Sequence, residues 1–281
     1  MESQKKFSPT FSFELFPPQS ELGIEKLRVA RKRLAQLNPK FFSVTFGAGG
    51  STRERTLETV LEMQSEGYMV APHISCIGST KKNILSILET YQAAGVNQLV
   101  ALRGDIPSGM AQAGEFRYAS ELVAYIRETF GQIFHIEVAA YPECHPQARS
   151  VQTDLENFKR KIEAGADSAI TQYFYNADSY FYFVDSCESM GLSVPIVPGI
   201  MPINKFSQLV RFSDACGAEI PRWIRKKLEG YGDDTASIHA FGLDVVTNMC
   251  ERLLKEGAPG LHFYTMNSAD LTAEIWRRLG I

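Results

Sequence analysis

The 281-residue chain has no excess of positive charge: 29 Lys and Arg stand against 32 Asp and Glu, a formal net charge of −3. No basic stripe or block occurs, which excludes the electrostatic footprint of a nucleic-acid binder. No uninterrupted apolar run of about 18 residues is present, so no membrane span is expected. The opening "MESQKKFSPT" lacks the apolar stretch of a signal peptide, and residues 1–9 are expected to form a flexible tail. Cysteine is sparse, odd in number and never spaced Cys-x-x-Cys (Cys76, Cys144, Cys187, Cys216, Cys250), against a disulfide framework or zinc site and for a cytoplasmic location. "ECHP" (143–146) has no second Cys or His pair near it, so no metal is expected. Gly-x-Gly-x-x-Gly, Gly-x-Ser-x-Gly and His-Glu-x-x-His are all missing.

What is present is an alternation. Eight β-rich segments, 10–16, 41–47, 68–77, 97–104, 134–142, 168–175, 194–201 and 260–267, are each followed by a helical pattern. The helices are expected near 24–37, from Ser51 as N-cap with Glu54 as its capping-box partner, and near 80–94, 118–130, 151–164, 178–190, 205–216 and 271–279. Units recurring every few tens of residues match βα crossovers. An open doubly wound sheet is the competitor. Eight regular units without a dinucleotide fingerprint favour a closed (β/α)8 TIM barrel over residues 10–281 as a single domain. The stretch Ala218–Pro259 is too long for one connection, and an additional helix is expected between strands seven and eight, with a turn at "GYGDD" (230–234).

In such a barrel the site lies at the strand C-termini. The polar residues there are Glu14, Thr45, His73, Arg103, Asp105, Tyr141, Glu143, His145, Gln172, Tyr264, Thr265 and Asn267. Each has a plain structural reading. Glu14 in "TFSFELFPP" could face water on a half-exposed strand, His73 could be a hydrogen-bonded core histidine, and Arg103 and Asp105 could be a local ion pair. Their gathering at one end of successive strands favours a shared site, because unpaired polar groups near a barrel axis cost roughly 2–7 kcal/mol. The glycines of "FGAGGST" (46–52) match no phosphate loop and suit close approach of backbone to a flat ligand.

The ordered set "FSFELFPP", "FFSVTFGAGGS", "APHISC", "ALRGDIP", "AAYPECHP", "DLENFKRKIEAGA", "AITQYFY", "PGIMPI" and "LHFYTMN" resembles the signatures of methylenetetrahydrofolate reductases, in their bacterial single-domain form. The resemblance implies a barrel holding FAD non-covalently. It also implies reduction of 5,10-methylenetetrahydrofolate to 5-methyltetrahydrofolate by NADH or NADPH, ping-pong, in one-carbon metabolism and methionine biosynthesis. By likeness, Glu14 is the general acid with a raised pKa, Thr45 the hydroxyl that orients it, and Asp105 the carboxylate between flavin and pterin. Gln172, Gln208 and Phe212 resemble substrate contacts. The FAD positions are Thr45, His73, Arg103, Gly104, Asp105, Tyr118, Ala119, Ala139, Tyr141, His145, Asp154, Asn157, Arg160 and Lys161, the last two suited to the pyrophosphate. A homo-oligomer, a tetramer in bacterial relatives, is implied as well. One departure is Ser268, where the family often has Arg. Two other readings are a non-redox pterin enzyme such as a methyltransferase, and a non-catalytic folate or flavin binder. The pair Arg160–Lys161 counts against the first, and retention of both Glu14 and Asp105 against the second.

Overall fold

The structure is a computed structural model; it describes residues 1–46, 50–104 and 114–281, and the side chains of residues 50–52 are outside that description. Asp105 and the centre of the "FGAGGST" stretch therefore lie outside the described residues.

All strand pairings are parallel, in the order β7-β6-β5-β4-β3-β2-β1-β9-β8. The strands are β1 Thr10–Leu15, β2 Phe41–Val44, β3 Val70–Ser75, β4 Gln98–Leu102, β5 His135–Ala140, β6 Ser168–Thr171, β7 Ile196–Val197, β8 Gly199–Ile200 and β9 Gly260–Tyr264. The two ends of this sheet are halves of one stretch, split at Pro198. β7 pairs with β6 and β8 with β9, so the barrel closes across a single residue. Proline has no N–H to give to a ladder, which is why the expected seventh strand is two short pieces; the Pro198 carbonyl still accepts from His262 N.

The helices are α1 Glu21–Ala35, α2 Gly50–Ser65, α3 Lys81–Ala93, α4 Ala119–Phe130, α5 Val151–Glu163, α6 Ala177–Ser189, α7 Phe206–Cys216, α8 Arg222–Tyr231, α9 Thr235–Lys255 and α10 Asp270–Leu279. Five of the ten begin where the sequence offers a cap: Ser20, Thr80, Ser150, Asn176 and Asp234 each accept a first-turn backbone N–H. Helix α2 already includes Gly50, so Ser51 stands inside its first turn and not at the cap. The expected insertion between strands seven and eight is helical, but it is two helices. Gly232, at positive φ, ends α8 and Asp234 caps α9.

Side-chain alternation divides the apolar residues into two cores. Phe13, Phe42, Phe263 and Trp276 pack between strands and helices. Phe41, Ala71, Val100 and Ile170 form a smaller cluster inside the barrel. The N-terminal segment is tied down where a flexible tail is expected. Gln4, 1 % exposed, donates to Val194 O (3.0 Å) and accepts from Ile196 N (2.8 Å), and Ser3 N donates to Glu188. Its amide thus satisfies backbone groups at the start of β7, where the ladder is shortest. Among the described residues no helix is long and apolar enough to cross a membrane.

Candidate active site

The strand C-termini open onto two adjoining cavities that share Leu102, Ala139, Tyr141 and His145. The axial one, about 390 Å³, is lined by Glu14, His73, Gln172, Phe212, Tyr264 and Met266 among others. The lateral one, about 220 Å³, lies between the ends of β4 and β5 and the helices α4 and α5.

Glu14 is the centre of the axial cavity. On β1, Phe11 and Phe13 turn outward to Trp276, so Ser12 and Glu14 turn into the barrel. Glu14 does not face open water; its side chain is 18 % exposed, with Oε2 3.3 Å from His73 Nε2 and 3.8 Å from His262 Nε2. Burial alone would push its carboxyl up, but the two imidazoles outweigh it and hold the pKa at about 2. In the ligand-free protein Glu14 is therefore a carboxylate, not the raised acid expected.

The orienting group also differs from expectation. Among the described residues the hydrogen bonds of Thr45 are made by its backbone. Its N donates to Leu15 O, and its carbonyl accepts from Thr56 Oγ1 at 3.0 Å. The register pairs Glu14 with Ser43 and leaves Thr45 one step past the end of β2, while the imidazoles of His73 and His262 lie beside the carboxylate. His262 is a functional candidate absent from the residues expected on sequence grounds. It is two residues before Tyr264, on the same inward face, and that periodicity is the signal that points to it.

The strand end carrying Glu14 is clamped by the turn after β9. Thr265 Oγ1 donates to Glu14 O (2.6 Å), and the Asn267 amide accepts from Phe16 N (2.9 Å) and donates to Phe16 O (2.8 Å). Met266 and Asn267 adopt φ of 53° and 55° to do this. The Tyr264 hydroxyl donates to Thr171 O (2.7 Å). Its ring lies where a Cβ on Gly199 would reach, 2.6 Å from Tyr264 Cε2 and 2.1 Å from Thr171 O.

The lateral cavity gathers ten of the expected FAD positions: Arg103, Gly104, Tyr118, Ala119, Ala139, Tyr141, His145, Asp154, Asn157 and Lys161. On α5, Asp154, Asn157 and Lys161 follow at i, i+3 and i+7 and share the face toward the cavity, while Leu155 and Phe158 are buried behind. Arg160 falls off that face, is exposed and donates to Asn157 Oδ1 (3.3 Å). The expected cationic pair is thus split. Lys161 donates to the Ala139 carbonyl; burial lowers its pKa to about 8, against the opposing pull of Asp154. Asp154 accepts from His145 N (2.8 Å), and Arg103 reaches Gln147.

These residues fit a dinucleotide cofactor. The N-terminus of α4, Tyr118 to Ser120, lines the cavity, with the Glu121 carboxylate accepting from Arg117 N and Tyr118 N. Gly104, also on that wall, adopts φ 83° and packs on the end of β3, where a Cβ would sit 2.0 Å from Ser75 Oγ. Thr45, Arg160 and Gln208 are not among the residues lining either cavity. Among the described residues no group of three or more His, Cys, Asp or Glu is arranged to hold a metal ion.

The methylenetetrahydrofolate reductase family model matches residues 1–280. The chain is 40% identical to the 5,10-methylenetetrahydrofolate reductase of Escherichia coli K12, over 96% of this chain and 90% of that protein. It is 38% identical to methylenetetrahydrofolate reductase (NADH) 1 of Arabidopsis thaliana, over 96% of this chain and 48% of that longer protein. In structure it is similar to a Clostridium thermocellum protein that binds two copies of 5-methyl-5,6,7,8-tetrahydrofolic acid. There the TM-score is 0.67 at 15% identity, covering 99% and 96% of the two chains. A dihydropteroate synthase from Coxiella burnetii aligns with a TM-score of 0.53 at 11% identity, over 97% and 92%. These two likenesses concern the barrel alone, whereas the family match spans the sequence: the chain belongs to the methylenetetrahydrofolate reductase family.

Proposed function

We propose that the chain reduces 5,10-methylenetetrahydrofolate to 5-methyltetrahydrofolate with FAD as its bound cofactor and NADH or NADPH as reductant, in a ping-pong cycle. The observation that carries this reading is the position of Glu14, a half-buried carboxylate between two imidazoles. It faces a cavity adjoining one lined by Lys161, Arg103, Asp154 and the first turn of α4, a donor and acceptor set suited to a dinucleotide. Bound flavin supplies the hydride chemistry, taken from the nicotinamide and given to the folate.

The residues of the chain do the rest. Lys161, Arg103 and the start of α4 bind the diphosphate, and Asp154 accepts from ribose or adenine groups. Gln172 and Phe212 hold the pterin and its aromatic extension in the axial cavity, on a floor made by Tyr264. Glu14 donates a proton to the folate nitrogen that leaves the methylene bridge. The N–C bond breaks with its electron pair going to that nitrogen, and the remaining nitrogen forms the iminium that is then reduced. Docking of the flat, largely apolar pterin covers the carboxylate, removes its water and raises its pKa. Proton uptake by Glu14 is thereby coupled to substrate binding, which reconciles an anionic resting state with an acid's task.

An anaerobic titration followed by flavin absorbance tests the reading. Protein loaded with FAD bleaches on adding NADH and regains its colour on adding methylenetetrahydrofolate. A protein that takes up no FAD, or that bleaches and does not recover with this folate, contradicts it.

A further inference from the structure

His262 is a wholly buried titratable side chain that the mechanism above leaves unused. Its ring is stacked on Phe41 (centroids 6.2 Å apart, 26° between planes) and meets Tyr264 edge-on (5.3 Å, 86°). Nδ1 is 2.7 Å from Ser12 Oγ; Nε2 lies 3.5 Å from Ser43 Oγ and 3.8 Å from the Glu14 carboxylate. The register brings the four together, pairing Ser12 with His262 on one side and Glu14 with Ser43 on the other. A core histidine satisfied by Ser12 alone would leave its second nitrogen without consequence. Here that nitrogen is turned to a buried anion, and this selects the tautomer. A lone pair on Nε2 facing the carboxylate is repelled, so Nε2 carries the hydrogen and the Ser12 hydroxyl donates to Nδ1.

We propose that His262, held by Ser12, is a positioning residue for the folate-reducing step: from beneath the cavity it fixes the Glu14 carboxylate and sets the charge that Glu14 carries. The inference rests on the assignment of Glu14 as the acid. The groups facing Glu14 are His73 from β3, Ser43 from β2, and His262 and Tyr264 from β9. Of these, His262 and Ser43 are fully enclosed, and His262 is the one that turns a ring nitrogen to the carboxylate. It keeps the carboxylate ionised until substrate covers it, from the wall of the same cavity.

The test is the pH dependence of reoxidation of NADH-reduced, FAD-loaded enzyme by methylenetetrahydrofolate, in single turnovers, for His262→Leu, His262→Gln and Ser12→Ala. A general acid loses rate as pH rises through its pKa. Removing a donor to the ionised form moves that fall to higher pH, by about one unit or more in His262→Leu. His262→Gln, whose amide reaches a similar place, returns the profile toward wild type. Ser12→Ala shifts it the same way by less, and serves if the leucine variant does not fold. Reduction by NADH keeps its rate in all three. A wild-type profile in His262→Leu, or in Ser12→Ala where it alone folds, overturns the proposal, as does equal damage to both half-reactions. Glu14→Gln run in parallel separates the two claims. If it reduces folate normally, the assignment of the acid itself is wrong; if it fails while the His262 and Ser12 profiles are unshifted, only the role of His262 falls.

Discussion

The barrel holds a glutamate beside histidine at each end, and the two pairs do different things. At the mouth, Glu14 sits between His73 and His262 and faces a cavity of about 390 Å³. At the floor, Glu137 is 4 % exposed; its Oε1 lies 3.3 Å from both Gln98 Nε2 and His135 Nε2, and its Oε2 is buried without a partner among the described residues. Similar residue types line an open cavity in one place and form a packed joint in the other. The distinction is access: Glu14 can exchange a proton with something that enters, whereas Glu137 is enclosed by β4, β5 and β6 and answers only to His135, Gln98 and the neighbouring Ser168.

Breaking the mouth has the largest expected effect. Glu14→Gln lowers the rate of the folate half-reaction by roughly 10²–10⁴-fold, the usual worth of a general acid, and leaves reduction by NADH intact in stopped-flow traces. Next comes Gly199→Ala. Its Cβ would meet the Thr171 carbonyl and the Tyr264 ring, and the resulting overpacking costs about 1–3 kcal/mol in denaturant unfolding and weakens folate binding. Losing the clamp is milder: Asn267→Ala removes two hydrogen bonds to Phe16, worth about 1 kcal/mol each. It slows the folate step several-fold with little change in FAD affinity, measured by fluorescence titration.

Two pH dependences sharpen the contrast. Lys161 has its pKa lowered by burial to about 8, so on the proposed reading it can serve as the charged partner of a diphosphate below that pH. FAD affinity falls as pH rises past about 8, and Lys161→Met flattens the dependence. At the floor, His135 has its pKa raised chiefly by its bond to Glu137. A group raised on folding contributes stability that is complete below its unfolded pKa and lost as pH rises through the folded one. Melting temperature therefore declines slightly as pH rises through that folded value, and Glu137→Gln abolishes the decline. The effect is small because the His135 side chain is 47 % exposed.

Much of this is legible in the sequence. The strand-helix alternation follows from periodicity, and the gathering around one cavity of ten residues expected to hold a cofactor follows from family motifs. The rest depends on register and side-chain direction. Which residue stands opposite Glu14 is a matter of strand stagger: the register sets Ser43 and Tyr264 there, brings His262 within 3.8 Å and leaves Thr45 past the end of β2. The sign of the Glu14 shift depends on two imidazoles outweighing burial, and no motif records that balance. Arg160 and Lys161 are adjacent in sequence but about 100° apart around a helix, so only one can face the cavity. The tethering of residues 1–9 rests on one glutamine amide finding two backbone groups, at Val194 and Ile196, near the far end of the chain.

The most direct measurement sets the two ends side by side: single-turnover reoxidation of NADH-reduced, FAD-loaded enzyme by methylenetetrahydrofolate in Glu14→Gln and in Glu137→Gln. The account predicts that flavin in Glu14→Gln is reduced normally and then stays reduced, while Glu137→Gln reoxidises at close to the wild-type rate. Normal reoxidation in Glu14→Gln would contradict it.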